Sequence, residues 1–166
     1  MTFLEDIYRL AYIKRYSNVP KIHEESVAEH GFFVAAIVME LYEVYKFDLG
    51  EAVIIAISHD MPEIELNDAP WVIKKKYPAI AKAFAECERE VAETLPKACR
   101  HGVLEYDKNE SIESRIVRLA DAIQCIQFSK VEVDLGNKGY MERVYTNSKA
   151  RVRNLQRKLL DHVRKL

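Results

Sequence analysis

Apolar residues recur at steps of three and four along most of the chain, which is the period of an α-helix. The first such run predicts a helix that ends near Tyr16, and its apolar members are Phe3, Leu4, Ile7, Leu10, Ala11 and Ile13. A connector follows, because Pro20 breaks the pattern. Ser26 then precedes Glu29 by three residues, the spacing of a capping box, so a second helix should begin there. This second helix is apolar on most faces, which is typical of a helix buried in a bundle.

The remaining chain predicts further helices and two breaks between them. The predicted helices are residues 48–60, 77–95, 111–132 and 142–163. The pair Met61-Pro62 ends the first of these, since proline removes a donor and disfavours helix in the residue before it. Residues 96–108 are expected to form a loop, and the string DLGNKGY a turn. The pattern as a whole predicts an all-α fold, an irregular bundle of five or six main helices.

Composition narrows the class of protein without naming a function. The 166 residues, 49% hydrophobic and 31% charged, favour a single domain spanning 1–166. A net charge of −1 and the lack of a basic stripe argue against nucleic-acid binding. The N-terminus mixes charges with apolar residues, and no apolar run is long enough to span a bilayer, so we expect a cytoplasmic protein. The three cysteines form no CxxC pair, which suits a reducing compartment.

Four polar residues stand out because they lie in strongly apolar runs, where an unpaired polar group costs several kcal/mol. His30 begins the second helix, His59 and Asp60 end the third, and Asp121 lies within the string VRLADAIQC. Two imidazoles and two carboxylates from three helices can bind one divalent cation and leave positions for water and substrate. Mixed nitrogen and oxygen ligation suits several transition metals and does not select one.

Each of these residues also has a simpler interpretation. His30 alone would more often be a core or capping histidine, and Asp121 alone could pair with Arg115 or Arg118. His59 and Asp60 could merely end a helix. Under these interpretations the protein is a non-catalytic helical binding module. It is the joint occurrence of the four residues, each at the apolar edge of a helix, that favours a metal site.

Longer strings around these residues resemble a known family. The strings are IKRY ahead of EESVAEH, then HDMPEIELNDAP, then RLADAI, and the likeness runs from about residue 10 to 129. The order H…HD…D resembles the HD-domain metal-dependent phosphohydrolases, and the longer strings are similar to those of the bacterial 5'-deoxynucleotidases within that superfamily. The resemblance implies a helical HD-domain fold, a homodimer, and one divalent metal, which could be Co, Mn, Zn, Fe, Ni or Mg.

The resemblance also implies a role for each matching residue. Those it assigns as metal ligands are His30, His59, Asp60 and Asp121. Glu63 falls at the acid beside the reactive water and leaving group, and Asp68 at the residue that helps fix the active-site arginine and acid. Arg15 then faces the phosphate, with Lys74 near it. Tyr16 stands where a tryptophan commonly packs on the deoxyribose.

Two substrates fit this resemblance. A 5'-deoxynucleotidase releases phosphate from a deoxynucleoside monophosphate, and this is the main expectation. Related small HD proteins, some of them from viruses of bacteria, instead remove triphosphate from deoxynucleotides. Arg118 lies one helical turn before Asp121 and therefore on the same face. Together with Lys74 it could hold a β- or γ-phosphate, which keeps a dNTP triphosphohydrolase as the alternative.

Overall fold

The computed structural model describes residues 2–163, except the side chain of Trp71, and this part of the chain consists of helices joined by turns and loops. Its helices are α1 (Phe3–Tyr8), α2 (Val27–Tyr42), α3 (Leu49–Ser58), α4 (Glu63–Leu66), α5 (Trp71–Lys76), α6 (Pro78–Thr94), α7 (Lys97–Lys108), α8 (Ile112–Asp134) and α9 (Tyr140–Val163). The all-α prediction is confirmed. The described helices outnumber the five or six expected, although six of them have ten or more residues. None of them is long and apolar enough to cross a membrane.

The start of α2 is fixed by the capping box that the sequence predicts. The Glu29 amide donates to the Ser26 hydroxyl at 3.2 Å, and the Ser26 amide donates to the Glu29 carboxylate at 2.7 Å. These bonds satisfy two amides that have no partner within the helix. Because the cap sets where α2 begins, it places His30 in the first turn, where the side chain is fully buried.

The core lies between α2, α3 and α8, with α9 packed along α8. Its fully buried members, with no exposed surface, include Val34, Val38, Ile55, Ile116 and Leu119. Val152 and Leu159 join α9 to the same cluster. The turn between α8 and α9, predicted from DLGNKGY, is confirmed and uses two glycines at positive φ, Gly136 and Gly139. Helices α2, α3 and α8 thus form a rigid layer, and each carries one of the polar positions singled out above.

The prediction of a loop at residues 96–108 is wrong, because α7 occupies this segment. Pro96 precedes the helix and Gly102 lies in its middle. In a sequence, proline and glycine usually indicate the end of a helix or a loop. In the structure Gly102 packs against α3, where an added Cβ would lie 2.0 Å from the Ser58 hydroxyl. Glycine is therefore required for close helix packing. This packing brings Tyr106 of α7 next to His59, with 4.9 Å between ring centroids.

The first helix is also shorter than predicted. α1 ends at Tyr8, a 3₁₀ turn covers Arg9–Ala11, and the chain then becomes extended. The Arg15 amide donates to the Glu25 carbonyl at 2.9 Å, and the Val27 amide donates to the Ile13 carbonyl at 3.0 Å. This pairing ties the segment before the connector to the start of α2. Arg15 and Tyr16 consequently lie outside the first helix, and both line the cavity described below.

Candidate metal centre and substrate cavity

Three of the predicted metal ligands come together behind the ends of α2 and α3. His30, His59 and Asp60 each offer a nitrogen or oxygen atom, and these atoms lie within 4.8 Å of one another. Nε2 of His59 is 3.2 Å from the Asp60 carboxylate, and Nε2 of His30 is 3.5 Å from it. The fourth predicted ligand, Asp121 on α8, has Oδ1 3.6 Å from Nε2 of His30. The cluster with all its ligand atoms within 4.8 Å of one another thus has three members, and Asp121 approaches it through His30.

The donor atoms at this point fit a divalent cation. Nε2 of His30 and Nε2 of His59 are buried and have no hydrogen-bond partner in the described part of the chain. Nδ1 of His59 lies 2.8 Å from the Ala56 carbonyl, which can only accept, so Nδ1 carries the hydrogen and Nε2 is left with a lone pair. Buried nitrogens without partners beside two carboxylates are the arrangement that a metal ion satisfies.

Asp121 is held by residues that the sequence analysis did not find. Its Oδ2 accepts hydrogen bonds from Arg151 of α9 at 2.8 Å and from the Tyr106 hydroxyl at 3.1 Å. Oδ1 therefore remains as the oxygen that faces His30. The suggested arginine partners are not used, because Arg118 donates to the Tyr106 carbonyl at 2.6 Å and Arg115 to the Glu110 carbonyl. No local pattern marks Arg151, which follows Asp121 by 30 residues on a different helix.

Three of the four groups at this point have the charge that metal binding requires, whereas the pKa of His59, despite its burial, is raised by Asp60 and Asp121, so a metal would displace a proton there. Burial alone would raise the pKa of Asp60, but the neighbouring His59 and His30 and the more distant Arg15 together lower it well below its usual range. Burial would likewise raise the pKa of Asp121, yet the positive charge of Arg151 and the two histidines lower it to about 2. Burial, helped by Arg15, lowers the pKa of His30 to about 3. Both carboxylates are therefore ionised, and His30 is neutral.

Arg15, Tyr16 and Asp68 are assembled on the side of the site facing the connector. The Arg15 guanidinium donates to Glu25 at 2.8 Å, and the Tyr16 amide donates to Asp68 at 3.1 Å. Tyr16 has a left-handed backbone, with φ of 54°, which turns its ring onto Phe128 at a centroid distance of 5.0 Å. Left-handed conformations are rare for a bulky residue and persist where surrounding contacts enforce them.

Glu63 and Asp68 differ from the carboxylates near the histidines. Glu63 begins α4, and its Oε2 is buried without a hydrogen-bond partner among residues 2–163. Burial, reinforced by the negative charges of Asp60 and Asp68, raises the pKa of Glu63 well above its ordinary range. Burial also raises the pKa of Asp68, although Arg15 opposes the shift. Glu63 is therefore a carboxyl that keeps its proton to a higher pH than an ordinary glutamic acid, which suits a general acid.

One cavity of about 790 Å³ joins these groups. The residues named from the sequence that line it are Arg15, Tyr16, His59, Asp60, Glu63, Asp68, Lys74, Arg118 and Asp121, while His30 lies behind the wall. Lys74 pairs with Glu88 of α6 at 2.7 Å. The cavity also receives Arg89, Arg143 and Arg151, which the sequence analysis did not select. Its wall is thus rich in basic side chains, as a pocket for an anion requires.

Two further residues that sequence reasoning missed lie behind His30. Gln124 of α8 and Glu25 of the connector are both buried, with 3% and 4% exposed surface. Gln124 follows Asp121 by three residues, on the same helix face, and it stands in the same apolar run. The signal that selected Asp121, a polar residue within apolar surroundings, would therefore also have selected Gln124. Glu25 carried no comparable signal, since it lies in a polar connector.

Comparisons with known proteins agree with this arrangement. A curated 5'-deoxynucleotidase from Vibrio cholerae is 28% identical over 153 residues, covering 84% of this chain and 79% of its own. An HD-domain phosphohydrolase from Listeria innocua superposes with a TM-score of 0.78 at 19% identity, over 95% of this chain and 81% of its own. The cyanophage S-2L HD phosphohydrolase, bound to dA and one catalytic Zn²⁺ ion, gives a TM-score of 0.62 at 18% identity, over 100% and 99%. The model of the 5'-deoxynucleotidase YfbR-like family matches residues 2–164, and the chain belongs to that family.

Proposed function

We propose that this protein is a metal-dependent phosphohydrolase of deoxynucleotides, which converts a deoxynucleoside monophosphate to deoxynucleoside and phosphate. The observation that carries the proposal is one cavity holding His59, Asp60 and Asp121 next to Glu63, a carboxyl with a raised pKa. The name of the Vibrio cholerae relative supports the reaction, and the dA bound to the cyanophage protein supports a deoxynucleotide.

His30, His59, Asp60 and Asp121 would hold one divalent transition metal. The mixed nitrogen and oxygen set suits Co, Mn, Zn, Fe or Ni, and Mg remains compatible through the carboxylates. When bound, such a metal lowers the pKa of a water molecule and polarises a phosphoryl oxygen. The one catalytic Zn²⁺ ion of the cyanophage protein, which shares this fold, supports a divalent metal in the site proposed here.

The remaining residues orient the substrate and supply a proton to its leaving group. Arg15 would face the phosphate with NH2, for which the Cys125 sulfur at 3.8 Å is the one neighbouring acceptor among the described residues, and it stays charged at all relevant pH values. Glu63 donates its proton to the departing 5'-oxygen, because its raised pKa favours the protonated form that a general acid needs. Asp68 fixes the Tyr16 backbone, and the Tyr16 ring packs on the deoxyribose.

A dNTP triphosphohydrolase is the second candidate, and the basic wall of the cavity favours it. Beyond Arg15, the cavity contains Lys74, Arg89, Arg118, Arg143 and Arg151. A single phosphate needs fewer cationic groups than this. Lys74 is half-buried and paired with Glu88, so it would have to exchange that partner for a β- or γ-phosphate. Arg118 and Arg151 are likewise held by Tyr106 and Asp121.

The identity of the product separates these candidates. The protein is incubated with Mn²⁺ or Co²⁺ and with a panel of dNMPs, NMPs and dNTPs. Phosphate from dNMPs supports the first proposal, and tripolyphosphate from dNTPs supports the second. Glu63→Gln is the matched inactive control, because it keeps the volume of the side chain and removes its acid. If metal binds but neither product forms, both enzymatic proposals are wrong and the non-catalytic binding module is favoured.

We further propose that the protein is a homodimer. Large apolar side chains of α2 and α3 remain exposed, namely Phe32, Phe33, Met39, Ile54 and Ile57. Phe32 contacts Phe33 and lines a surface depression together with Ile57, and an exposed apolar patch is typical of a protein interface. Light scattering after size exclusion should give twice the mass of 19.3 kDa. Phe32→Glu should shift the protein to the monomeric mass, and a monomer in the wild type would contradict the proposal.

A further inference from the structure

The side of His30 that faces away from the cavity contacts two polar groups, Gln124 and Arg15, which both bind Glu25. Nδ1 of His30 is 3.0 Å from Oε1 of Gln124 and 2.6 Å from NH1 of Arg15. NH1 of Arg15 is itself 3.1 Å from the same Gln124 oxygen and 2.8 Å from Oε2 of Glu25. The Gln124 amide nitrogen donates to the other Glu25 oxygen. His30, Gln124 and Glu25 thus form a continuous buried network.

The orientation of the Gln124 amide follows from Glu25. Burial raises the pKa of Glu25, but its ion pair with Arg15 at 2.8 Å favours the carboxylate, which can only accept, so the end of Gln124 that faces Glu25 is its NH₂ group. The carbonyl end then faces Nδ1 of His30. Gln124 and Glu25 are both more than nine-tenths buried, so water cannot replace either of them without entering the core. Glu25 therefore determines that the carbonyl oxygen of Gln124, and not its NH₂ group, faces His30.

Counting hydrogens leaves two arrangements, because NH1 of Arg15 carries two hydrogens and lies near three groups, Nδ1 of His30 at 2.6 Å, Glu25 at 2.8 Å and Gln124 at 3.1 Å. In the arrangement that leaves Nε2 of His30 free for a metal, the two hydrogens go to the oxygens of Glu25 and Gln124. The Gln124 oxygen has two lone pairs, one for Arg15 and one for His30. Nδ1 of His30 is then the atom that donates to Gln124. Nε2 consequently keeps its lone pair and faces Asp60 and Asp121.

We propose that Gln124, oriented by Glu25, is a positioning residue that holds His30 with its hydrogen on Nδ1 and so presents Nε2 to the metal. The inference rests on the metal site of the proposed function and adds a residue to it. Outer partners of this kind fix the ring orientation and the protonated nitrogen of a metal-binding histidine. The competing arrangement has Arg15 donating to Nδ1, which places the hydrogen on Nε2 and blocks metal binding there.

His59 supplies an internal reference, because its Nδ1 is held by the main-chain carbonyl of Ala56. No side-chain substitution removes that bond. A change at Gln124 should therefore affect one of the two metal-binding histidines and leave the other unaltered. This asymmetry separates loss of positioning from general damage to the site.

The test compares four variants for Co²⁺ and Zn²⁺ affinity, measured by competition with a chromophoric chelator. Gln124→Met removes the acceptor and keeps the length of the side chain, so affinity should fall about 10–100-fold. Gln127→Met is the matched control, because Gln127 is exposed one turn further along α8, and it should bind like the wild type. Gln124→Glu alone places a second carboxylate opposite that of Glu25, and their repulsion should also weaken metal binding. The swap Glu25→Gln with Gln124→Glu restores a carboxylate–amide pair and should recover most of the affinity.

A second measurement follows the imidazole N–H protons of the Zn²⁺-loaded protein by NMR. The wild type and the swap should show slowly exchanging Nδ1–H protons for both His30 and His59. In Gln124→Met the His30 proton should exchange fast, while the His59 proton should not change. Thermal unfolding of each variant without metal shows that the fold is retained.

The outcomes separate this inference from the proposed function. Wild-type affinity in Gln124→Met, an unchanged His30 proton in that variant, or a swap no better than Gln124→Glu would each overturn the role of Gln124. If the wild-type protein binds none of the metals offered, the metal site itself is wrong and this assignment is overturned with it.

Discussion

The cavity has two sides whose carboxylates behave oppositely. On the metal side, Asp60 and Asp121 lie beside histidines, and Asp121 also pairs with Arg151, so their pKa values are lowered despite burial. On the acid side, Glu63 and Asp68 are partly buried, and there burial and like charge outweigh Arg15, so their pKa values are raised. The residue types are the same on both sides. Their partners alone separate charged ligands from a proton donor, which is how one site can perform both tasks.

The largest effect is expected on the metal side. Asp60→Asn removes the charge that both histidines face, so metal affinity should fall by more than the roughly 10–100-fold typical of outer partners, and activity should be lost. Metal content after dialysis and the rate with dNMPs measure this. Glu65→Gln is the control, because Glu65 is exposed in the same segment. Full metal occupancy in Asp60→Asn would remove Asp60 from the ligand set.

On the acid side, Glu63→Gln should lower kcat by about 10²–10⁴-fold, the usual contribution of a general acid, while metal binding is retained. The wild-type rate should fall as pH rises through the raised pKa of Glu63, since the donor is then deprotonated. The variant should lack this alkaline decline. A pH–rate profile of both proteins measures it, and a variant that keeps the decline would show that another group is the acid.

Arg151→Met should have a smaller effect on metal affinity, about 10-fold or less. Its guanidinium orients Asp121 and lowers the pKa of that carboxyl, but the Arg151 side chain is 43% exposed, so solvent screens the pair. Arg153→Met serves as the control on an exposed neighbouring position of α9. The same chelator competition measures both, and a loss as large as that of Asp60→Asn would contradict this ranking.

The smallest effect is expected on thermal stability, where substitutions on the two sides of the cavity should change Tm in opposite directions. The pKa of Glu63 is raised in the folded protein, so the fold binds this proton more tightly than the unfolded chain and loses stability as pH rises above about 4.5. Glu63→Gln should therefore raise Tm at neutral pH. The pKa of Asp60 is lowered, so its stabilisation is present above its ordinary pKa, and Asp60→Asn should lower Tm. Thermal unfolding of the metal-free proteins at pH 5 and 8 compares them, and shifts of equal sign would refute the contrast.

Local signals in the sequence predicted a large part of the fold. The capping box of Ser26 and Glu29 gave the start of α2 to the residue, because capping is an interaction over three positions. The helix at 96–108 was missed because Pro96 and Gly102 resemble breakers, whereas Gly102 serves contact with α3. Tyr16 was placed at the end of a helix because the pairing of Ile13–Arg15 with residues 25–27 is not local.

The sequence by itself determined the helical class and the family, and it supplied the polar residues that interrupt its apolar runs. A buried polar group has to be paired or functional, so His30, His59, Asp60 and Asp121 could be selected without coordinates. Only the tertiary structure decided which atoms these residues present. Arg151 holds Asp121 from 30 residues away, and Gln124 contacts His30 across 94 positions. These contacts depend on how α2, α8 and α9 pack against one another. The two residues of such a contact are therefore separated in the sequence by no regular interval, and no pattern reveals them.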